Sequence, residues 1–115
     1  MRHVRGSPMP EKVTSLPEQV KGVLTEDAML GGKIRLQQPK EGFRAAIDTV
    51  FLAAAVPAKA GQCVLEAGTG SGAAALCLAH RVEGVKITGI DVNPRMVSLA
   101  DANIQLNREA ETIRV

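Results

Sequence analysis

Hydrophobic and polar positions change rhythm several times along the chain, and each change marks an element. Ile34 and Leu36 alternate with Lys33, Arg35 and Gln37, the period of a strand with one buried face, and Pro39-Lys40-Glu41-Gly42 then supplies turn chemistry before Phe43. Residues 31–44 are therefore read as a short β-hairpin. Asp48 and Thr49 precede Val50-Phe51-Leu52-Ala53-Ala54-Ala55-Val56, a predicted helix stopped by Pro57. Gly61 resets the chain for the apolar strand Cys63-Val64-Leu65, which ends at Glu66. Ser71 is placed to cap the next helix, whose Ala74, Leu76, Leu78 and Ala79 are expected to cover a sheet before Gly84 ends the connection. A second strand, Val85-Lys86-Ile87-Thr88-Gly89-Ile90, runs to Asp91. Asn93 is then the N-cap and Pro94 the first position of a helix continuing through Met96, Leu99, Ala100 and Ile104. A third strand begins at Thr112-Ile113-Arg114-Val115. The runs Ala53-Ala54-Ala55 and Ala73-Ala74-Ala75 are read as close-packing surfaces.

Strand, helix, strand, helix, strand is the first half of a doubly wound parallel sheet, so the fold class is α/β and Rossmann-like, preceded by a hairpin and a helix. Residues 1–23 carry Pro8, Pro10 and Pro17 among scattered charges, and a flexible tail is expected there, with Arg2, Arg5 and Lys12 solvated. Residues 24–115 form the expected domain.

The 115 residues are 45% hydrophobic and 23% charged, as for one small soluble domain with a modest core. A net charge of +2 does not mark a nucleic-acid-binding surface, although a local patch could still hold RNA. Cys63 and Cys77 fall on a predicted buried strand and helix without metal-ligand spacing, which reads as reduced core thiols, no metal and a cytoplasmic setting. No apolar run is long enough to cross a bilayer, and no secretory leader is evident. His3 and His80 are not candidates for catalysis.

Chemistry concentrates where the first parallel strand ends, at Glu66-Ala67-Gly68-Thr69-Gly70-Ser71-Gly72. A sharp strand-to-helix turn is expected to leave backbone N–H groups pointing outward, and glycines let a ligand approach without meeting a Cβ. Asp91, about 20 residues further on at the end of the next strand, is suited to accept hydrogen bonds from both hydroxyls of a ribose. Glu66 would repel a pyrophosphate but suits a sulfonium, which points from a nicotinamide dinucleotide towards S-adenosylmethionine; the G-x-G-x-G spacing agrees. The plainer readings are a tight turn without a ligand for the loop, and a helix cap for Asp91. Asp48, before an apolar helix, has the position of an N-cap.

These residues resemble a known family. Leu30-Gly31-Gly32-Lys33-Ile34-Arg35-Leu36-Gln37-Gln38-Pro39 and Gly42-Phe43-Arg44-Ala45-Ala46-Ile47-Asp48-Thr49-Val50-Phe51-Leu52-Ala53-Ala54-Ala55-Val56-Pro57 are similar to the N-terminal segment of bacterial tRNA1(Val) (adenine-N6)-methyltransferases, which belong to the class I S-adenosylmethionine-dependent enzymes. Val64 to Gly72 resembles their first cofactor motif and Thr88-Gly89-Ile90-Asp91-Val92-Asn93-Pro94 their second. The glycine loop alone specifies only the class; the preceding segment narrows it to adenine-N6 enzymes or related rRNA- and glutamine-directed ones. The resemblance implies that Glu66, Gly68, Gly70 and Gly72 line the methionine and adenosine parts of S-adenosylmethionine, that Asp91 holds the ribose, and that Asp48 lies beside the same pocket. Its cap and pocket roles are compatible. Arg44 matches a basic position there, and is expected on the surface or paired with an acid.

The family also carries N-P-P-[YF] after a fourth strand, where Asn and Pro oxygens accept hydrogen bonds from the adenine amine and an aromatic ring stacks on the flipped base. These 115 residues contain no such motif, and Asn93-Pro94-Arg95-Met96 is explained by capping. The implied function is N6-methylation of a tRNA adenine, with this chain a cofactor-binding fragment holding no catalytic residue of its own. The alternative is a non-catalytic truncated remnant that binds S-adenosylmethionine or only associates with itself along the exposed edge of the third strand.

Overall fold

A computed structural model describes residues 24–42 and 44–115; the tail expected over residues 1–23 lies outside them, as does Phe43. The hairpin consists of β1 (Leu24–Met29) and β2 (Ile34–Pro39), antiparallel, with Met29 opposite Ile34 and Leu24 opposite Pro39. Its turn is Leu30-Gly31-Gly32-Lys33, one strand earlier than the turn expected at residues 39–42. Leu30, Gly31 and Gly32 take φ of 54°, 66° and 88°, a left-handed path that the two glycines adopt without a Cβ penalty. The sequence concealed β1 because its half-buried positions include Thr25 and Asp27. Asp27 is half-buried because it has partners. It accepts hydrogen bonds from Thr25, Gln38 and Arg44, each at 2.9 Å, and these hold its carboxyl below the usual aspartate range, Gln38 contributing most. Arg44 is thus paired with an acid, as expected.

Helix α1 (Ile47–Ala55) starts earlier than the pattern predicts, with Ala46 at the N-cap, so Asp48 lies inside the first turn rather than at the cap. Ala53 is buried against its neighbours, whereas Ala54 and Ala55 are exposed, so only part of that alanine run packs. The C-terminal end of α1 is closed by Arg81, whose guanidinium donates to the carbonyls of Ala53 and Val56.

Beyond Gly61 come β3 (Cys63–Ala67), α2 (Ala73–Arg81), β4 (Lys86–Ile90), α3 (Pro94–Leu106) and β5 (Ile113–Arg114). The strands form a parallel sheet in the order β3-β4-β5, with Cys63 opposite Lys86 and Ile87 opposite Ile113. Because the order runs one way, right-handed crossovers put α2 and α3 on the same face. Burial agrees: Ile87, Gly89 and Ile113 are buried, whereas Cys63, Leu65, Ala67, Lys86, Ile90 and Arg114 are exposed on the other face. Cys63, expected in the core, is therefore exposed; Cys77, on α2, is buried. The core joins Ile34 and Leu36 of the hairpin to Leu76, Leu78, Val85, Ile87, Ile104 and Ile113, so hairpin and sheet share one hydrophobic interior.

Asn93 caps α3 as predicted, accepting from the Arg95 N–H at 2.9 Å, with Pro94 in the first turn. Ser71 does not cap α2; that place is taken by Gly72 in a left-handed conformation, φ 87°, without a side-chain hydrogen bond. No helix among the described residues is long and apolar enough to cross a membrane.

Candidate functional site

Parallel pairing of Ala67 with Ile90 brings the carboxyl ends of β3 and β4 to one edge, where the glycine loop and Asp91 meet. The loop hangs from β4: the N–H groups of Gly68 and Thr69 both donate to the Ile90 carbonyl, at 2.8 and 2.9 Å. Asp91 takes the next one, its Oδ2 accepting from the Gly70 N–H at 2.9 Å while Oδ1 accepts from the Asn93 N–H at 2.9 Å. These two donors, Asn93 first, hold the Asp91 carboxyl below its ordinary range. Gly72 N–H closes back on the Thr69 carbonyl at 2.9 Å. The expectation of outward N–H groups therefore fails at Gly68, Thr69, Gly70 and Gly72, all of which are bonded within the protein. A pyrophosphate would find no donors there.

Glu66 reaches the loop from beneath. Its Oε1 accepts from the Thr69 hydroxyl at 2.6 Å, and burial pushes its carboxyl above the ordinary glutamate value, with that hydrogen bond opposing. Thr69 is itself buried because β4 carries a glycine beneath it: a Cβ at Gly89 would lie 2.6 Å from Thr69 Oγ1. Neither Thr69 nor Gly89 was singled out as functional from sequence. A glycine inside an otherwise apolar strand was the available signal, since it marks close approach of another group. On its outer side the loop is open, and a Cβ built at Gly68 would meet nothing within 4 Å.

Glu66, Gly68, Gly70, Gly72 and Asp91 thus form one cluster around the turn. Asp48 is exposed on α1 and its Oδ1 accepts from the Thr49 N–H at 3.0 Å; among the described residues no hydrogen bond joins it to the cluster. The link is through the helix. Leu52, one turn on, lines with Glu66 and Leu65 a groove of about 220 Å³ between α1, β3 and α2.

The turn thus has its Gly68, Thr69, Gly70 and Gly72 N–H groups bonded within the protein and two carboxylates, Glu66 and Asp91, beside it at the carboxyl edge of the parallel sheet. Residues 64–114 match the model of a family described as a methyltransferase domain. The chain is related to the class I S-adenosylmethionine-dependent methyltransferases. It is 44% identical over 71 residues to a tRNA1(Val) (adenine(37)-N6)-methyltransferase of a Flavobacteriaceae bacterium (strain 3519-10), covering 62% of this chain and 31% of that protein. A tRNA1(Val) (adenine(37)-N6)-methyltransferase of Yersinia pseudotuberculosis serotype O:3 is 31% identical over 109 residues, covering 90% of this chain and 42% of its own length. The chain therefore spans well under half the length of these curated relatives. In fold it is similar to a Pyrococcus horikoshii transferase structure, with TM-score 0.64 and 25% identity over 80% of this chain and 35% of that one. A methyltransferase of Agrobacterium tumefaciens described as SAM-dependent superposes with TM-score 0.58 at 18% identity, covering 85% of this chain and 33% of the other, a likeness of fold. The half-sheet read from the sequence is that partial methyltransferase fold.

Proposed function

We propose that residues 24–115 are the cofactor-binding part of an S-adenosylmethionine-dependent methyltransferase whose complete form methylates N6 of a tRNA adenine. The observation that carries the cofactor reading is the pairing of Glu66 and Asp91 about a loop whose N–H groups at Gly68, Thr69, Gly70 and Gly72 are already used. Both carboxylates suit S-adenosylmethionine: Asp91 retains lone pairs for the ribose hydroxyls, and Glu66 offers negative charge to the sulfonium region. Gly68 keeps a side chain away from the approaching ligand, while Gly70 and Gly72 let the loop lie close to Met96 and Ala100 of α3 beneath it. Asp48 stands on α1 one turn before Leu52, which lines the groove, and in this reading it lies beside the pocket without lining that groove. The tRNA substrate is supported by the names of the curated relatives.

When bound, S-adenosylmethionine supplies an electrophilic methyl group on a positively charged sulfur. This chain's share of the work is to hold and orient it, because alignment of nucleophile, methyl carbon and leaving sulfur carries much of such a transfer. Acceptors for the adenine amine are not among these residues, which contain no N-P-P-[YF]. The 115-residue chain is expected to bind S-adenosylmethionine without transferring methyl to tRNA.

Titration calorimetry tests this. Asp91→Ala is expected to weaken S-adenosylmethionine binding by about 1 to 3 kcal/mol, from the loss of hydrogen bonds to a charged acceptor. Unchanged affinity removes Asp91 from the site, and stronger binding of NAD than of S-adenosylmethionine overturns the cofactor reading.

A further inference from the structure

β2 has one edge on β1, while the backbone groups of Arg35 and Gln37 on its other edge face α3. Two side-chain amides take the place of a neighbouring strand. Asn103 Oδ1 accepts from the Gln37 N–H at 2.8 Å and its Nδ2 donates to the Gln37 carbonyl at 2.8 Å. Asn107 repeats the exchange with Arg35, at 2.9 and 2.7 Å. The spacing matches because four residues of helix and two of strand both advance by about 6 to 7 Å.

The two asparagines differ in where their remaining amide hydrogen goes. Asn107 Nδ2 donates to the carbonyl of Asn103 at 2.8 Å, within its own helix. Asn103 Nδ2 donates at 2.9 Å to the carbonyl of Ser71, inside the glycine loop. Asn103 is 0% exposed, and its acceptor and both donor hydrogens are all used. The first half of the loop is tied to Ile90 and Asp91; its second half is tied to α3 by this amide and by Gly72, where a Cβ would stand 3.5 Å from that of Ala100. Beyond Gln37, the Gln38 side chain continues the connection by accepting from the Ala45 N–H at 2.9 Å, just before α1.

We propose that Asn103 is a positioning residue for the cofactor loop: through its bond to the Ser71 carbonyl it registers the loop against α3 and the hairpin docked there. This rests on the cofactor reading above. Asn107 is the internal control, making the same edge pairing without reaching the loop.

The test compares the native chain with Asn103→Ala and Asn107→Ala, measuring S-adenosylmethionine affinity by calorimetry and amide exchange by NMR. Asn103→Ala is expected to raise Kd by roughly tenfold or more and to speed exchange at Gly70 and Gly72, whereas Asn107→Ala changes Kd by less than about twofold. Equal Kd shifts in the two variants, or unchanged Kd and loop exchange in Asn103→Ala, overturn the proposal. A native chain that does not bind S-adenosylmethionine defeats the cofactor reading, and the exchange comparison then decides alone whether Asn103 orders the loop. Should Asn103→Ala fail to fold, the Asn103 carboxamide protons are followed in the native chain during titration. A change in their shift or exchange on binding supports the proposal, and none at saturation overturns it.

Discussion

Glu66 is held in an environment that does not favour its charge, since burial raises its carboxyl above the ordinary value and only the Thr69 hydroxyl opposes this. A carboxyl raised on folding contributes stability that is fully present below its unfolded value and is lost as pH rises through the folded one. Glu66→Gln is therefore expected to leave stability unchanged in acid and to increase it at neutral pH, while weakening S-adenosylmethionine binding by about 1 to 3 kcal/mol through loss of the negative charge. Urea unfolding across pH, paired with calorimetry, checks both; a variant less stable at neutral pH shows that the carboxylate is compensated. Arg108 is a second residue under tension. It sits with φ 60° just past α3, where its N–H donates to the Gln105 carbonyl and that of Glu109 to Ile104, the hydrogen-bond pattern that most often carries glycine at the left-handed position. Arg108→Gly is expected to stabilise the chain by about 0.5 to 1 kcal/mol in urea unfolding, because the left-handed penalty on a side chain exceeds the entropy lost by glycine.

At the scale of elements, the turn after β3 depends on the strand beside it. Gly89 leaves room for Thr69, and Thr69 in turn holds Glu66, so a substitution in β4 is felt in the loop. Gly89→Ala forces Thr69 out of its seat and is expected to cost about 1 to 3 kcal/mol by overpacking and to weaken cofactor binding as well. Circular-dichroism melting and calorimetry measure the two effects, and wild-type values for both would show that the loop tolerates the displacement. The hairpin shows the same dependence. Its turn and its first strand escaped the hydrophobic pattern because Thr25 and Asp27 occupy half-buried positions, acceptable only once Arg44 and Gln38 are folded against them.

Across the whole molecule, parallel sheets are ordinarily covered on both faces, yet among the described residues helices cover one. Leu65 is 67% exposed on the open face, and Ile47, Phe51 and Leu52 of α1 are exposed with it. No strand among the described residues pairs with the outer side of β3, a five-residue strand, whereas β5, whose edge the sequence pointed to, is two residues long. Such an apolar, unpaired edge favours association. The chain is expected to self-associate with increasing concentration in sedimentation velocity, and Leu65→Lys to reduce this; equal sedimentation of both would exclude Leu65 from the contact.

The sequence by itself determined the order of strands and helices from Gly61 onward, the cap at Asn93, and the meeting of the glycine loop with Asp91. Each depends on residues close together in the chain, or on the handedness that all right-twisted βαβ units share. Tertiary structure decided the rest. Whether the loop's N–H groups face outward, whether Cys63 is buried, where the hairpin turns and what Asn103 holds all depend on groups brought together from distant segments. Local propensity does not register a hydrogen bond between residues 37 and 103, or a threonine seated over a glycine twenty positions away, because neither exists until the chain has folded.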